Sequence, residues 1–450
     1  MKLKTKYYKK DILIVGFGKT GKSILKFFKY QKVNIFIYDD NVDVIKNKIQ
    51  SRHFFNEKEK DISDFSTIFV SPGISKNHKL IKKAVDKKIP LSSDIELFWE
   101  DQLISNPNQS ILGITGTNGK STIALMISSV FQTQPLGNFG NTILDNLDKK
   151  TKCLVIELSS FQLDYIESFK PNISIISNIK YDHLNYHKTF DNYLKAKINI
   201  TKNQDKEDFL ILNYDDENIK NYLNKKNDIN AEIIKISNKS SFSKGIYYKK
   251  NEIYDNFFTN KKYAIEENNF LKLKHNQLNY TIAFSALLAL GLEANKIIKS
   301  LNKFEGLPHR LEFLGKIKKI SFYNDSKATN VAATCSAIRS FKKVILIAGG
   351  FDKGESFKEL NKFSDIIIET YLVGDNAYKI KKYINKKLPN QICENLKEAL
   401  ERSYKKSISS GKYYPILFSP ASASFDNYKS FEQRGDCFKR LFKNIRKKVA

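Results

Sequence analysis

The chain has little cysteine and no long hydrophobic run. Its 450 residues include four cysteines (Cys153, Cys335, Cys393 and Cys437), which are widely spaced and form no Cys-x-x-Cys pair. This spacing predicts free thiols in a reducing compartment. No stretch approaches the roughly 18–20 uncharged apolar residues of a membrane-spanning helix. The lysine-rich start also lacks the apolar centre of a signal peptide. We therefore expect a cytoplasmic protein without membrane insertion.

Acidic residues are in the minority. There are 76 lysines and arginines against 48 acidic residues, which gives a formal net charge of +28. Such a charge is compatible with nucleic-acid binding. The lysines are spread along the whole chain, however, which indicates a compositional bias, and we expect no nucleic-acid partner. A nucleotide-binding regulatory or RNA-binding protein stays open as an alternative. The positive field would also attract an anionic substrate.

The length predicts two to four domains, and the order of elements predicts their class. Strand and helix patterns alternate from end to end, which is typical of α/β layers with largely parallel sheets. We expect three domains: residues 1–99 (Rossmann-like), 100–305 (a P-loop-type ATPase sheet) and 306–450 (Rossmann-like). The polar, aromatic-rich segment 231–273 is interpreted as an antiparallel ribbon insert.

The predicted elements are strands Asp11–Val15, Val33–Tyr38, Ile68–Val70, Cys153–Glu157, Ile173–Asn178, Phe209–Asn213, Ile320–Tyr323, Val344–Ala348, Asp365–Val373 and Pro415–Ser419, and helices Thr20–Tyr30, Ser121–Phe131, Asn276–Leu292, Ala294–Leu301, Asn330–Ser340 and a basic helix at the end. No internal repeat stands out.

The most informative segment is the glycine loop at 115–122, Thr-Gly-Thr-Asn-Gly-Lys-Ser-Thr. It lies between an apolar strand pattern and a helix pattern, so backbone N–H groups and a helix N-terminus would face one anion. Lys120 would reach the outer phosphates of a nucleotide, and Ser121 or Thr122 would contact Mg²⁺. The first glycine of the common phosphate loop is displaced, since Gly113 is one position early. A search for the usual pattern would miss this loop.

A second glycine motif follows the first strand. Residues 16–21 match G-x-G-x-x-G, and Asp39 stands about twenty residues further on. Alone, this predicts a dinucleotide-binding oxidoreductase, and a tight turn without ligand is a further alternative. We favour a loop that grips the diphosphate of another nucleotide, because nothing downstream resembles hydride-transfer chemistry.

Polar side chains follow two neighbouring strands of the central region. Glu157 ends a buried strand beside the predicted phosphate loop, where a carboxylate suits Mg²⁺. His183 comes just after the next strand, which favours a functional role over a structural one. Lys197 by itself is typical of a solvated helix lysine. Whether His183 orients substrate or acts as a base stays open.

Three polar turns follow predicted strands of the C-terminal region, at residues 324–330, 349–354 and 419–426. In the first, Lys327 could pair with phosphate and Thr329 with a carboxylate. The serine-rich third turn opens a helix, which suits an anion. Plain helix capping is the alternative for the second and third turns.

Together these motifs resemble the Mur ligase family. The resemblance spans nearly the whole chain and rests on the motifs at residues 115–122, 157–160, 182–183, 275–276 and 307–310, with a Ser-Pro-Gly turn at 71–73. Within this family, residues 324–330 and 419–435 resemble the branch that adds D-glutamate. Another amino-acid ligase of the same superfamily stays open as an alternative.

The resemblance implies an ATP-dependent ligase of peptidoglycan precursor synthesis. ATP and Mg²⁺ would activate the alanine carboxylate of UDP-N-acetylmuramoyl-L-alanine as an acyl phosphate, which D-glutamate then attacks. It also implies one domain for the UDP moiety, one for ATP and one for the amino acid. A monomer is expected.

The resemblance also implies roles for individual residues. The UDP-sugar would be held by Gly18, Lys19, Thr20, Asp39, Gly73 and Asn138. ATP would be held by Gly116, Thr117, Asn118, Gly119, Lys120, Ser121, Thr122, Asn276, Asn279, Arg310 and Asp325. Metal would be organised by Ser121, Glu157, His183 and a carbamoylated Lys197, and the catalytic set would be Lys120, His183 and Lys197. D-Glutamate would be received by Thr329, Lys353, Ser424 and Phe431. Asp40 departs from the family, because a hydroxyl residue often stands there near the uracil, and the turn at 421–423 departs mildly.

Overall fold

The structure is a computed structural model that describes residues 6–41, 53–146, 151–225, 228–266, 268, 270–271, 273–384 and 388–449. The chain divides into two compact units. One comprises residues up to 304 except 268–274, and the other comprises 268–274 and residues from 305 onward. Among the described residues, every helix is too short or too polar to cross a bilayer.

The first sheet of the first unit is parallel and has the order β2-β1-β3-β4. Its elements are β1 (Asp11–Val15), α1 (Lys19–Phe28), β2 (Asn34–Tyr38), β3 (Thr67–Val70), α2 (Lys79–Asp86), β4 (Leu91–Ser92) and α3 (Asp94–Ser105). The strands are apolar runs because helices and loops cover both faces of the sheet. The order reverses between β1 and β3, so the loops after these two strands meet at the carboxyl edge. The Ser71 hydroxyl donates to the Gly16 carbonyl at 2.7 Å, which joins these loops.

The second sheet has nine strands in the order β13-β12-β11-β10-β9-β8-β5-β7-β6. Its elements are β5 (Ser110–Thr115), α4 (Lys120–Val130), β6 (Leu136–Gly137), β7 (Cys153–Glu157), α5 (Ser160–Leu163), β8 (Ile173–Ile176), α6 (Leu184–His187), α7 (Phe190–Ile198), β9 (Phe209–Asn213), α8 (Glu217–Lys225), β10 (Glu232–Ser237), β11 (Ile246–Lys249), β12 (Glu252–Asp255), β13 (Lys261–Ala264), α9 (Lys274–Ala289) and α10 (Ala294–Leu301). Strands β7 and β8 flank β5 and run parallel to it, so the carboxyl ends of these three strands present the site residues together.

The predicted antiparallel ribbon insert at 231–273 is wrong for its first half. Strand β10 pairs in parallel with β9, and β11 pairs in parallel with β10, so both extend the main sheet. The reason is that the connections are crossovers, α8 between β9 and β10 and the loop at 238–245 between β10 and β11, so each returns the chain in the same direction. Only β12 and β13 are antiparallel. Lys250 and Asn251 make the turn between β11 and β12 with positive φ angles of 50° and 60°.

The second unit contains the third sheet, of order β14-β15-β19-β16-β17-β18. Its elements are β14 (Glu312–Ile317), β15 (Ile320–Asn324), α11 (Val331–Ile338), β16 (Val344–Ala348), β17 (Ile367–Leu372), α12 (Ala377–Tyr383), β18 (Asn390–Ile392), α13 (Leu396–Ser409), β19 (Ile416–Phe418) and α14 (Phe431–Val449). Apolar clusters cover both faces. The unpredicted edge strand β14 runs antiparallel to β15.

The predicted α/β class with three sheets is confirmed. Each predicted strand has a counterpart whose ends lie within two residues of the prediction. Strand ends matter here because polar residues at the carboxyl ends of parallel strands share one edge of a sheet.

Candidate active site

The glycine loop at 115–122 joins β5 to α4 and has a backbone that only glycine adopts readily. Gly116 has φ of 144°, and a Cβ placed on it would lie 2.0 Å from the Ser177 hydroxyl. The end of β8 holds the loop: the Thr117 N–H donates to the Asn178 carbonyl at 2.8 Å, and the Asn118 N–H donates to the Asn178 side chain at 2.9 Å. A loop fixed in this way is preorganised for phosphate.

Lys120 is the first residue of α4, and its ammonium lies over the loop. The Nζ atom donates to the carbonyl oxygens of Gly116 at 2.8 Å and Thr117 at 3.0 Å. Ser121 follows and is buried, whereas Thr122 is partly exposed. A cation placed over a phosphate loop and a hydroxyl at the helix N-terminus are the groups that bind the outer phosphates and their metal.

Glu157, at the end of β7, is a buried carboxylate with one unused oxygen. Its side chain is 2% exposed, and Asn138 donates to Oε1 at 2.8 Å. Oε2 has no hydrogen-bond partner among the described residues. A buried oxygen of this kind fits a hard cation such as Mg²⁺. Asn138, which the resemblance assigns to the UDP-sugar, is thus hydrogen-bonded to the candidate metal ligand.

Lys197 on α7 is buried, and the solvated lysine that the helix pattern alone suggests is wrong. It is 2% exposed and donates to the Gly116 carbonyl at 2.9 Å. Burial lowers its pKa well below the usual value, and the charge of Lys120 lowers it further, against the opposing effect of Asp182 and Glu157. Tertiary packing therefore places a readily neutralised amine beside the phosphate loop.

His183 is half-exposed and follows β8. Its φ is 51°, and its ring lies 4.9 Å from the Phe161 ring, measured between centroids. Burial lowers the pKa of His183, Asp182 opposes that shift, and the charges of Lys197 and Lys120 add to it. Within the described residues, no group of three or more His, Cys, Asp and Glu side chains converges on a metal position. Hydroxyl, phosphate or carbamate oxygens would have to complete a Mg²⁺ site here.

Helix α9 supplies the two asparagines that the resemblance assigns to ATP. Asn276 and Asn279 are both buried. A Cβ on Gly119 would lie 2.8 Å from Oδ1 of Asn279, so this amide contacts the loop directly. Gly119 is the N-cap of α4 and has φ of 86°. Because it has no side chain, it leaves room for the side-chain amide of Asn279.

In the first sheet, Asp39 accepts hydrogen bonds from backbone N–H groups. Its carboxylate accepts from the N–H groups of Phe17 at 2.6 Å and Asn41 at 2.9 Å. The residue therefore shapes the turn after β1, and each carboxylate oxygen keeps a lone pair with which it can accept from a ligand. The neighbouring Asp40 accepts from the Tyr38 hydroxyl at 3.0 Å, and its carboxylate lies 3.2 Å from the His78 ring nitrogen.

The other predicted UDP-sugar residues lie around the same carboxyl edge. Gly18 precedes α1, and Lys19 and Thr20 form its first turn. A Cβ on Gly18 or on Gly73 would meet nothing within 4 Å, so both glycines border open space. Helix N-termini with open backbone suit a diphosphate.

In the second unit, Asp325 at the end of β15 is buried within hydrogen bonds. It accepts from the Ser419 hydroxyl at 2.7 Å and the Leu311 N–H at 3.0 Å. Burial raises its pKa to about 7, against the opposing effects of these donors and of the Arg310 charge. Arg310 and Asp325 are therefore electrostatic neighbours.

The residues assigned to D-glutamate lie on turns that follow adjacent strands of the third sheet. Thr329 and Lys353 line one small cleft with Glu355. Ser424 is buried, just after Ala423, whose carbonyl accepts from the Phe351 N–H at 3.0 Å. These contacts join the second and third polar turns.

Phe431, the first residue of α14, joins the first polar turn to the last helix. The Phe431 carbonyl accepts from the Ser326 hydroxyl at 2.8 Å. The Lys327 ammonium lies 4.1 Å from the centre of the Phe431 ring, within cation–π range. The structure therefore brings the start of α14 against the turn that carries Thr329.

Two residues that hold loops of the site, Asn178 and Arg434, are absent from the sequence-based predictions of site residues. Asn178 holds the phosphate loop through both its backbone and its side chain. Arg434 is buried under the turns of the second unit. Arg434 belongs to the Phe-Glu-Gln-Arg-Gly run at 431–435, and this run is the sequence signal that points to it.

Comparison with known proteins agrees with this geometry. A model of the Mur ligase middle domain matches residues 114–287, and one of the MurD-like N-terminal domain of Mur ligases matches residues 10–93. The UDP-N-acetylmuramoylalanine–D-glutamate ligase of Rickettsia bellii is 34% identical over 98% of this chain and 99% of its own. The Clostridioides difficile ligase of the same name is 35% identical, over 97% and 99%.

Solved structures agree in fold. The MurF ligase from Thermotoga maritima in complex with ADP has a TM-score of 0.60 at 15% identity, covering 99% of this chain and 97% of its own. A pseudomurein peptide ligase type C from Methanothermus fervidus has a TM-score of 0.56 at 19% identity, covering 97% and 100%. The chain belongs to the Mur ligase family, as its motifs predicted. Within that family, its full-length similarity is to the UDP-N-acetylmuramoylalanine–D-glutamate ligases.

Proposed function

We propose that the protein is an ATP-dependent ligase that joins D-glutamate to UDP-N-acetylmuramoyl-L-alanine in peptidoglycan precursor synthesis. The observation that carries this proposal is the full-length similarity to relatives that bear the name of this reaction. The preorganised phosphate loop beside buried Glu157 and Lys197 supports it, because acyl activation needs a nucleotide site with a cation and a metal ligand. We place the enzyme in the cytoplasm, as a monomer.

The proposed reaction has two steps. The alanine carboxylate oxygen attacks the γ-phosphorus of ATP, which gives an acyl phosphate and releases ADP. The amine of D-glutamate then attacks the acyl carbon, an amide forms, inorganic phosphate leaves, and the amine loses a proton. Lys120 would neutralise charge on the transferring phosphoryl group, and the resemblance implies a similar role for Arg310 toward ATP. His183, with its lowered pKa, suits orientation or proton acceptance at the amine.

Mg²⁺ would be held by Ser121, Glu157 and His183, with a carbamate on Lys197. When bound, the metal would supply positive charge that offsets the negative charge of the reacting groups. The unused oxygen of Glu157 supports this assignment. A charged ammonium on Lys197 would repel the ion, whereas a carbamate would supply oxygen ligands.

The carbamate forms when the neutral Lys197 amine adds to CO₂ and releases a proton. The lowered pKa of Lys197 favours that neutral amine. Carbon-13 NMR of enzyme equilibrated with labelled bicarbonate should give a protein-bound carbamate signal that Lys197→Arg lacks. A bare amine in the active, metal-loaded wild-type enzyme would contradict the proposal.

We also propose a division of labour along the chain. The UDP-sugar would be held by Gly18, Lys19, Thr20, Asp39 and Gly73 of residues 1–99, together with Asn138. Residues 100–305 would hold ATP through the glycine loop, Asn276 and Asn279. Residues 306–450 would receive D-glutamate through Thr329, Lys353, Ser424 and Phe431, and the resemblance assigns Arg310 and Asp325 to ATP.

The deciding experiment measures ADP and phosphate release with ATP, Mg²⁺ and UDP-N-acetylmuramoyl-L-alanine, with and without D-glutamate. Release should depend on D-glutamate and should give the amide product. Parallel reactions with L-glutamate, meso-diaminopimelate, lysine and folate test the other ligases of the superfamily. Release with one of these and not with D-glutamate would overturn the proposal. Salt-dependent RNA retention without amino-acid-dependent ATP hydrolysis would favour the RNA-binding alternative.

A further inference from the structure

Arg434, on α14, is a buried arginine whose hydrogen bonds all go to the turns of the amino-acid region. It is 3% exposed. Nη1 donates to the Ala423 carbonyl at 2.8 Å, and Nη2 donates to the carbonyls of Ser422 and Ser326, each at 2.9 Å. Nε donates to the Ser326 hydroxyl at 3.1 Å. One planar group therefore links the turn after β15 to the turn after β19.

The same guanidinium also lies against the turn after β16. A Cβ on Gly350 would be 2.9 Å from Nη1 of Arg434, so the backbone passes directly over the cation. Gly350 has φ of 151° and belongs to the turn that carries Lys353. All three turns that bear proposed D-glutamate residues thus contact one side chain.

Arg434 forms no direct ion pair with a carboxylate among the described residues, and its hydrogen bonds go to carbonyl and hydroxyl oxygens. Burial lowers its pKa to about 10, with opposing effects from Asp426 and Tyr428, so it stays cationic near neutral pH. A buried cation is costly unless other groups compensate it, and an anionic ligand would add compensation.

We propose that Arg434 is a positioning residue for D-glutamate: it fixes the three turns around Thr329, Lys353 and Ser424, and its buried charge favours the dicarboxylate. This inference rests on the proposed function. Arg434 acts through the turns, since four of its five N–H groups are already used by protein oxygens. Lysine cannot replace it, because an ammonium has only three N–H donors and lacks the planar, forked arrangement of a guanidinium.

The test compares Arg434→Lys and Arg434→Met with Arg440→Met, a control at an exposed arginine of the same helix. We expect both Arg434 variants to raise the KM for D-glutamate by at least about tenfold, the scale of a lost charge-assisted hydrogen bond. The KM values for ATP and the UDP-sugar should stay near those of wild type. Arg440→Met should leave all three KM values unchanged.

A milder variant, Ser326→Ala, covers the case in which the Arg434 variants do not fold. It removes the acceptor of Nε and the hydrogen bond from the Ser326 hydroxyl to the Phe431 carbonyl, and it leaves the other three Arg434 hydrogen bonds in place. We expect a smaller rise in KM that is again confined to D-glutamate. If the folded variants change the three KM values equally, or lower kcat alone, the inference is overturned. If wild type itself shows no D-glutamate dependence, the proposed function fails first, and that result is distinguishable from a failure of the inference.

Discussion

Lys120 and Lys197 share one acceptor, the carbonyl oxygen of Gly116, at 2.8 and 2.9 Å. Two ammonium groups this close repel each other, and only Lys197 is almost fully buried, so Lys197 is the one that loses its proton more easily. Lys197 is therefore better suited to the carbamate proposed above, and Lys120 to the proposed contact with phosphate. The difference between the two lysines comes from their surroundings, because the two side chains are chemically identical.

Lys120→Ala should therefore impair phosphoryl transfer strongly while leaving the fold intact. We expect kcat to fall on the order of 10²- to 10³-fold, the effect of removing one electrostatic contact to the transition state. Steady-state ADP formation measures it, with Lys29→Ala, at an exposed lysine of the first sheet domain, as the control. A near-normal kcat would mean that the glycine loop is not the phosphate site.

Asp94, at the start of α3, gives a pH-dependent prediction. Burial raises its pKa to about 6, above the usual 3.8, and Oδ1 has no hydrogen-bond partner among the described residues. The folded state therefore binds this proton more tightly than the unfolded state, so stability should fall as pH rises from about 4 to about 6. Asp94→Asn should remove most of that fall, on the order of 3 kcal/mol.

Urea unfolding at several pH values tests this, followed by fluorescence of the single tryptophan. Trp99 lies on the same helix and packs edge-on against Phe169, so it reports on this region. Asp86→Asn, at an exposed aspartate, is the control. Equal pH slopes for Asp94→Asn and wild type would contradict the assignment.

At the scale of elements, the phosphate loop depends on glycine more than on any side chain. Gly116→Ala places a methyl group 2.0 Å from the Ser177 hydroxyl and forces an unfavourable φ, so the loop must leave the end of β8. We expect kcat/KM for ATP to fall about 100-fold or more. Gly291 also has a positive φ, but a Cβ placed on it would meet no atom within 4 Å. Gly291→Ala should therefore lower the free energy of unfolding by only about 1 kcal/mol. Similar kinetics for both variants would show that the close approach to β8 is unimportant.

The ends of elements also bear on the UDP-sugar assignment. Asp39 stands at the spacing of a ribose-binding carboxylate, and it also accepts hydrogen bonds from the N–H groups of Phe17 and Asn41. A glycine motif after a first strand predicts a nucleotide-binding loop without identifying the nucleotide. Spacing alone does not show that such a carboxylate also holds the backbone of its turn.

At the scale of the whole molecule, the net charge of +28 should govern encounter with anionic substrates. The UDP-sugar carries a diphosphate and a carboxylate, so kcat/KM for it should fall severalfold as monovalent salt rises from about 0.05 to about 0.5 M at fixed Mg²⁺. The dependence on salt should be weaker for D-glutamate, which carries less charge. Equal salt dependence for both substrates would indicate a general effect on the enzyme instead of steering.

The sequence by itself determined the α/β class, the positions of most strands and the phosphate loop. Apolar runs and glycine spacing are local properties, and the physics of a strand feeding a helix N-terminus acts within a few residues. For the same reason, the sequence pattern predicts that Glu157 ends a strand and that His183 and Thr329 follow strands, as they do in the structure. The family resemblance then implied roles that spacing could not.

Only the tertiary structure decided which way strands β10 and β11 pair, and which polar groups are buried. The direction of a strand depends on the path of the preceding helix or loop, and β10 and β14 read alike in sequence although one is parallel and the other antiparallel to its neighbour. The burial of Lys197 and Arg434 depends on contacts with residues as far as 82 and 108 positions away in the chain. Desolvation arises from that packing, and it lowers the pKa of both Lys197, the proposed carbamate site, and Arg434, which holds three turns.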